Sequence, residues 1–265
     1  MGVQGYLLDL DGTVYLGERL IPGADRAIAE LRRRGRKIVF LSNKPLHSRA
    51  DYSEKLTRLG VPATEDDVIH SSYVMARYLA RERPEARVYA IGEPPLLAEL
   101  EAAGLELTDD PERIEFVVAA FDRTCTWDKL NTAFQAIRRG ARFVATNPDP
   151  TCPVEGGEIP DAAAVIAALE ATTGKRVEAV VGKPSPHTVR AALERLELPP
   201  ERVAMVGDRL GTDILMARRA GLVGILSLSG VTRPGDLDWA DVRPDYVIES
   251  LDELPELDGR IGSGE

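Results

Sequence analysis

The chain has 265 residues, 44% apolar and 29% charged, which excludes collagen-like, coiled-coil and disordered classes. That length supports one large domain or nearly two, with ample core and no need for disulfide or metal staples. Thirty-three Lys and Arg against 43 Asp and Glu leave a formal net charge of −10, so the surface on balance repels phosphate chains and a nucleic-acid polymer is not an expected partner.

In chain order, Tyr6-Leu7-Leu8-Asp9-Leu10 reads as a short buried strand ending in the acidic turn Asp11-Gly12-Thr13. Ala24 to Arg34 has helical spacing, with Ile28 and Leu31 on one face. The basic run Arg32 to Lys37 reads as the solvated last turn of that helix, closed at Gly35, where cations suit the dipole. Ile38 to Leu41 is a second buried strand, stopped by Ser42-Asn43-Lys44-Pro45, and Ser48 to Leu59 is a helix closed by Gly60. Strand, helix, strand, helix predicts parallel pairing with right-handed crossovers.

From about residue 82 to 178 the chain runs a strand and helix series of its own: Arg87 to Ile91, Phe116 to Ala120, Leu130 to Arg138 and Arg142 to Thr146. A proline-stiffened loop, Asn147 to Pro153, and an alanine-rich helix, Ala162 to Ala171, complete it. The early pattern then returns. Ala179-Val180-Val181 precedes Gly182-Lys183-Pro184 and a helix from about His187 to Leu196. Val203 to Val206 precedes Gly207-Asp208 and a helix from Asp213 to Ala220, followed by short strands at Gly224 to Leu228 and Tyr246 to Ile248. The tail from Gly259 to Glu265 reads as frayed. The simplest architecture is α/β: a doubly wound, mostly parallel core at 1–81 and 179–265, interrupted by an inserted α/β domain at 82–178.

Cys125 and Cys152 match no metal spacing, so reduced thiols are expected. The three histidines, His47, His70 and His187, are scattered and fit no metal pattern either. The longest apolar run, Ala162 to Leu169, falls far short of the roughly 20 residues of a membrane span. Asp9 and Asp11 arrive before a signal-peptide core can form. A cytoplasmic protein with no membrane partner is the expectation.

Four polar clusters lie at the ends of predicted strands. Asp9 and Asp11 are two carboxylates, one residue apart, followed by a turn glycine, an arrangement able to converge on one cation. Ser42-Asn43 offers a hydroxyl, an amide and loop N–H donors, Lys183 a cation, and Asp208 and Asp213 two more acids. Singly, each has an ordinary explanation as a turn, a surface lysine or a helix cap. Together they share the carboxyl edge where an open α/β sheet places its site.

These motifs, in this order, resemble the haloacid dehalogenase-like phosphatase superfamily. Tyr6 to Pro22, Thr146-Asn147-Pro148-Asp149, Gly182-Lys183-Pro184-Ser185-Pro186 and Gly207 to Asp213 resemble its subclass IIA, the nitrophenyl phosphatase-like and sugar-phosphatase-like group, with the large cap of C2 type inserted between the second and third motifs. The resemblance implies that Asp9 attacks phosphorus to form an aspartyl-phosphate and that Asp11 serves as general acid and base. It implies Mg²⁺ held by the Asp9 side chain, the Asp11 backbone carbonyl and Asp208, and phosphate oxygens held by Ser42, the Asn43 N–H and Lys183. Asp213 would orient Lys183 or the metal's waters, and Asn147 and Asp149 would lie on a cap loop over the substrate. Dehalogenases and transport ATPases lack a carboxylate at the position of Asp11, so a phosphatase acting on a small phosphate ester is expected, with a homodimer formed through the cap. A phosphomutase or phosphotransferase of the same superfamily, or a non-catalytic phosphate-binding protein on this scaffold, stays open as an alternative.

Overall fold

The computed structural model describes residues 2–154 and 156–263. Its elements follow the hydrophobic pattern closely. β1 (Gly5–Asp9) is buried along its whole length and is followed by a small antiparallel hairpin, β2 (Tyr15–Leu16) and β3 (Arg19–Leu20). Then come α1 (Ala24–Arg33), β4 (Lys37–Ser42), α2 (Arg49–Arg58) and β5 (Val68–His70). The middle of the chain forms α3 (Ser71–Glu82), β6 (Arg87–Ile91), α4 (Pro94–Ala102), β7 (Glu106–Leu107), β8 (Phe116–Ala119), α5 (Trp127–Arg138) and β9 (Arg142–Ala145). A hairpin of β10 (Thr151–Val154) and β11 (Gly157–Pro160), α6 (Ala162–Thr173) and β12 (Ala179–Val180) follow. The last stretch is α7 (Pro186–Leu196), β13 (Val203–Gly207), α8 (Leu215–Ala220), β14 (Val223–Ser227), β15 (Tyr246–Ile248) and α9 (Leu254–Ser263).

The chain divides into two compact units. One takes the residues up to Ser42, Arg49–Ile69 and those from Lys183 on; the other takes Asn43–Ser48 and His70–Gly182. In the first, six strands lie in the order β15-β14-β13-β1-β4-β5. β1 pairs in parallel with both β4 and β13, β13 with β14, and β14 with β15. The chain leaves β1 in one direction through β4 and later returns beside it through β13. The carboxyl end of β1 is therefore a topological switch point, the place where open parallel sheets leave a crevice for a ligand. Tyr6 and Leu8 of β1, alternating with Leu7, share a core with Phe40, with Ile28 and Leu31 of α1, Tyr52 and Leu56 of α2, and Leu254 and Leu257 of α9.

The second unit holds a five-stranded sheet in the order β12-β9-β8-β6-β7, again with parallel pairs. Val117, Ala119, Phe143 and Ala145 from its strands pack against Ile137 of α5 and Val165 and Leu169 of α6. Asp161 caps α6 by accepting from the Ala162 N–H at 2.5 Å, and Gly174 in left-handed conformation (φ 69°) ends it.

The structure differs from the sequence expectations at four places. β12, read as a strand of the core, pairs with β9 instead (Ala179 opposite Val144, Val180 opposite Ala145) and so belongs to the second unit. The longer segment of that unit starts at His70 and takes in α3, which packs against α4, so its limits differ from 82 and 178. The tail expected to fray is helical through Ser263, because Leu254, Leu257 and Asp258 of α9 are buried; Gly264 and Glu265 lie outside the described residues. The basic run is not wholly solvated either. Arg34 and Arg36 turn onto the buried Asp258 at 3.3 and 2.9 Å, while Arg33 stays exposed beside Glu30.

Cys125 is exposed and Cys152 buried, and the two are unbridged. Among the described residues, no helix is long and apolar enough to cross a membrane.

Candidate active site

Two strand ends deliver the central acids. β1 stops at Asp9, which is buried (8% exposed), and β13 stops at Gly207, so that the next residue, Asp208, lies fully buried beyond the neighbouring strand end. From there the chain makes a widened π-helical turn, Leu210–Ile214, that carries Asp213 back toward β13. Such turns re-aim side chains and are frequent at functional sites. Only a glycine fits at 207, because a Cβ there would overlap the Asp213 carboxyl group. One oxygen from each of Asp9, Asp208 and Asp213 lies within 4.8 Å of the others.

Lys183 closes the cluster. It is buried (4% exposed), its Nζ donates to Asp9 Oδ1 in a very short contact and to Asp213 Oδ1 at 2.7 Å, and the Asp213 Oδ2 accepts from the Arg209 N–H at 3.1 Å. Burial would pull the lysine's pKa down, but the Asp213 and Asp9 carboxylates outweigh it and hold the ammonium firmly charged. One ammonium against three carboxylates still leaves the pocket short of positive charge. Burial pushes the Asp9 carboxyl up, the Lys183 ammonium offsets only part of this, and Asp213 and Asp208 add repulsion. Asp208 is raised for the same reasons, burial first and Asp213 second.

The donor set fits a hard divalent cation. Asp208 Oδ2 accepts from the Val231 N–H at 2.7 Å, whereas its Oδ1 is buried with no hydrogen-bond partner among the described residues. A buried anionic oxygen without a partner is costly, and carboxylate oxygens are the ligands that Mg²⁺ and similar ions take.

Asp11 lies half-buried in the turn after β1. That turn is wound tightly, with the N–H groups of Thr13, Val14 and Tyr15 all converging on the Leu10 carbonyl and the Gly12 N–H on the Tyr15 carbonyl. Gly12 has φ +95°, a conformation side chains disfavour, and a Cβ there would overlap Asp208 Oδ2. The buried Tyr15 hydroxyl is pushed up in pKa by burial first and then by Tyr52, Asp11 and Asp9, so both acids of the motif act on one neighbour. Ser42 ends β4 one residue past Leu41, which pairs with Asp9, and its Oγ lies 3.2 Å from the Tyr52 hydroxyl.

The other three expected residues form a cluster of their own in the second unit. Asn43 Nδ2 donates to Asp149 Oδ2 at 3.1 Å, and the Asn147 amide donates to Asp149 Oδ2 and Asp161 Oδ1, both at 3.0 Å, while accepting from the Thr146 hydroxyl. Asn147 is 1% exposed, and its amide is committed to holding the loop in shape. Lys183, expected at a strand end of the core, instead follows a strand of the other sheet and reaches Asp9 through the Gly182-Lys183-Pro184 turn.

Sequence reasoning missed the segment after β14. Ser229, Gly230 and Val231 reach Gly12 and Asp208, with Ser229 Oγ, 2.7 Å from the Ser227 hydroxyl, donating to the Gly12 carbonyl at 2.8 Å. The available signal was Ser227, Ser229 and Gly230, three small residues at the carboxyl end of a strand beside the one that leads to Asp208.

Comparison with known proteins gives the same picture. Residues 6–106 match the model of the haloacid dehalogenase-like hydrolases, and residues 180–254 match a second, HAD-hydrolase-like model. The chain is 39% identical to the sugar-phosphatase AraL of Bacillus subtilis over 96% of its own length and 92% of that protein's. The crystal structure of a 4-nitrophenylphosphatase from Thermotoga maritima superposes with a TM-score of 0.92 at 37% identity, covering 96% of this chain and 97% of the other. A glycerol phosphate phosphatase from Mycobacterium tuberculosis, in complex with magnesium, gives 0.89 at 36% identity over 96% of this chain and 76% of its own. The chain belongs to the haloacid dehalogenase-like hydrolases, among the phosphatases of subclass IIA.

Proposed function

We propose that the protein is a Mg²⁺-dependent phosphomonoesterase that hydrolyses a small phosphate ester, of the sugar phosphate or nucleoside monophosphate kind, through an aspartyl-phosphate on Asp9. The observation that carries this reading is the buried Asp9, Asp208 and Asp213 cluster, with Lys183 on Asp9 and one Asp208 oxygen unpartnered. Sugar, nitrophenyl and glycerol phosphatases among the relatives support the substrate class.

In this reading an Asp9 oxygen forms a bond to phosphorus as the bond to the ester oxygen breaks, and Asp11 gives its proton to the departing alkoxide. Asp11, now a carboxylate, takes a proton from water as that water attacks the acyl-phosphate, which returns Asp9 and releases phosphate. Bound Mg²⁺, held by Asp9, Asp208 and the Asp11 carbonyl, supplies the positive charge that lets an anionic carboxylate approach an anionic phosphoryl group. Lys183, kept charged by Asp213, binds an equatorial phosphoryl oxygen, and Ser42 and the Asn43 N–H bind the others. Asp213 acts through Lys183.

The first unit, together with Asn43, is assigned the phosphoryl chemistry, and the rest of the second unit the choice of alcohol. Asn147 and Asp149 shape the loop that serves that choice. The remaining partner is a second copy, joined through this part of the chain; Trp127 of α5, 81% exposed, supports that assignment. The location assigned is the cytoplasm.

The test is hydrolysis of p-nitrophenyl phosphate with Mg²⁺, with EDTA, and after Mg²⁺ is restored. Turnover that disappears with EDTA and returns with Mg²⁺ is expected; no turnover with any divalent cation contradicts the reading.

A further inference from the structure

The loop after β14 embraces the acid that ends β13. Val231 N–H donates to Asp208 Oδ2 at 2.7 Å and Thr232 N–H to the Asp208 main-chain carbonyl at 3.2 Å, so two successive amides grip the same residue. Between them and the acid there is room for no side chain: a Cβ on Gly230 would overlap Asp208 Oδ2, and one on Gly12 would overlap the same atom. With Oδ2 fixed by Val231, Oδ1 is left over, buried with no hydrogen-bond partner among the described residues.

The same loop reaches the first motif. Ser227 and Ser229 hydroxyls lie 2.7 Å apart, and Ser229 Oγ donates to the Gly12 carbonyl at 2.8 Å. A hydroxyl has one proton. Since Ser229 gives its proton to Gly12, the proton between the serines comes from Ser227, which is fully buried. Gly12 is therefore held at both peptide groups, by its N–H on the Tyr15 carbonyl (2.7 Å) and by its carbonyl on Ser229. The planar trans peptide between Asp11 and Gly12 then directs the Asp11 carbonyl away from Tyr15 in a fixed orientation.

We infer that Ser229 and Gly230 are positioning residues for the cation site, fixing the Asp208 carboxylate and the Asp11–Gly12 turn so that Asp208 Oδ1 faces the cation. This rests on the reading that a divalent cation binds there, and neither residue touches substrate. Outer partners that orient metal ligands typically change metal affinity by about 10- to 100-fold when removed.

The test is Mg²⁺ binding by isothermal titration calorimetry, with Mn²⁺ binding by electron paramagnetic resonance as a second readout. Wild type, Ser229→Ala, Ser229→Thr and Gly230→Ala are compared, each with its melting temperature in EDTA. Ser229→Ala is expected to weaken Mg²⁺ by about 10-fold, Ser229→Thr to restore it by keeping the hydroxyl, and Gly230→Ala to weaken it by about 100-fold. If Gly230→Ala does not fold, the serine pair decides. Variants that melt lower in EDTA but bind Mg²⁺ as wild type does overturn the inference and leave the proposed function standing. Wild type that binds neither ion overturns the reading beneath it.

Discussion

Asp9 and Asp11 are one residue apart, yet their surroundings differ in a way that suits the two roles proposed for them. Asp9 is buried against the Lys183 ammonium, whereas Asp11 lies half-buried in the turn beyond the strand. A carboxylate fixed beside a cation suits attack at phosphorus, while a proton donor acts where the leaving oxygen carries developing charge. Asp11→Asn is therefore expected to slow hydrolysis of an alkyl phosphate by on the order of 10²- to 10³-fold and that of nitrophenyl phosphate far less, because nitrophenolate departs without a proton. The check is kcat/KM across a series of leaving groups. Equal slowing along the series contradicts the assignment. These residues were legible in the sequence because two acids and a turn glycine stand side by side at the end of an apolar run. Ser229 was not, since its importance comes from a carbonyl 217 positions away.

At the scale of elements, the last helix is tied to the strand that ends at Asp9. Tyr6 donates to Asp258 at 2.7 Å, and Arg36 lies against the same carboxylate at 2.9 Å. Tyr6→Phe keeps the ring in the core and removes one hydrogen bond to a charged group, which costs about 1.5 kcal/mol. The expected result is a lower denaturant midpoint with an unchanged slope; an unchanged midpoint contradicts the tie. This contact also explains what local reading could not supply. Gly259 and Gly262 make the tail a poor helix by propensity, and the residue that holds it is paired with one 252 positions away. β12 repeats the lesson. Its apolar run announces a strand, but which sheet receives it is decided by pairing with β9, a contact the run itself does not encode. β1, α1 and β4 were legible because their burial follows directly from the spacing of their own apolar residues.

For the whole molecule, a net charge of −10 and a buried acidic cluster make stability depend on protons and cations together. Burial holds the Asp9 and Asp208 carboxyls above the ordinary range. A raised carboxyl keeps its proton more tightly folded than unfolded, so the folded state binds more protons and loses stability as pH rises from about 4 through the raised values. The metal-free protein is therefore expected to melt at progressively lower temperature from about pH 5 to about pH 8. In the proposed function Mg²⁺ binds the deprotonated cluster, so its stabilising effect should grow over the same interval. Scanning calorimetry in EDTA and in Mg²⁺ checks both. A metal-free melting temperature that climbs through this interval, with no response to Mg²⁺, contradicts the electrostatic account.

The proposed reaction turns on a covalent phosphoryl group passing through one side chain. Rapid acid quenching during turnover of p-nitrophenyl phosphate, followed by mass spectrometry of proteolytic peptides, looks for that group directly. The expected result is a phosphoryl adduct on the peptide containing Asp9, absent in Asp9→Asn and in the EDTA-treated enzyme. Steady turnover with an unmodified Asp9 peptide, or with the adduct on another residue, contradicts it.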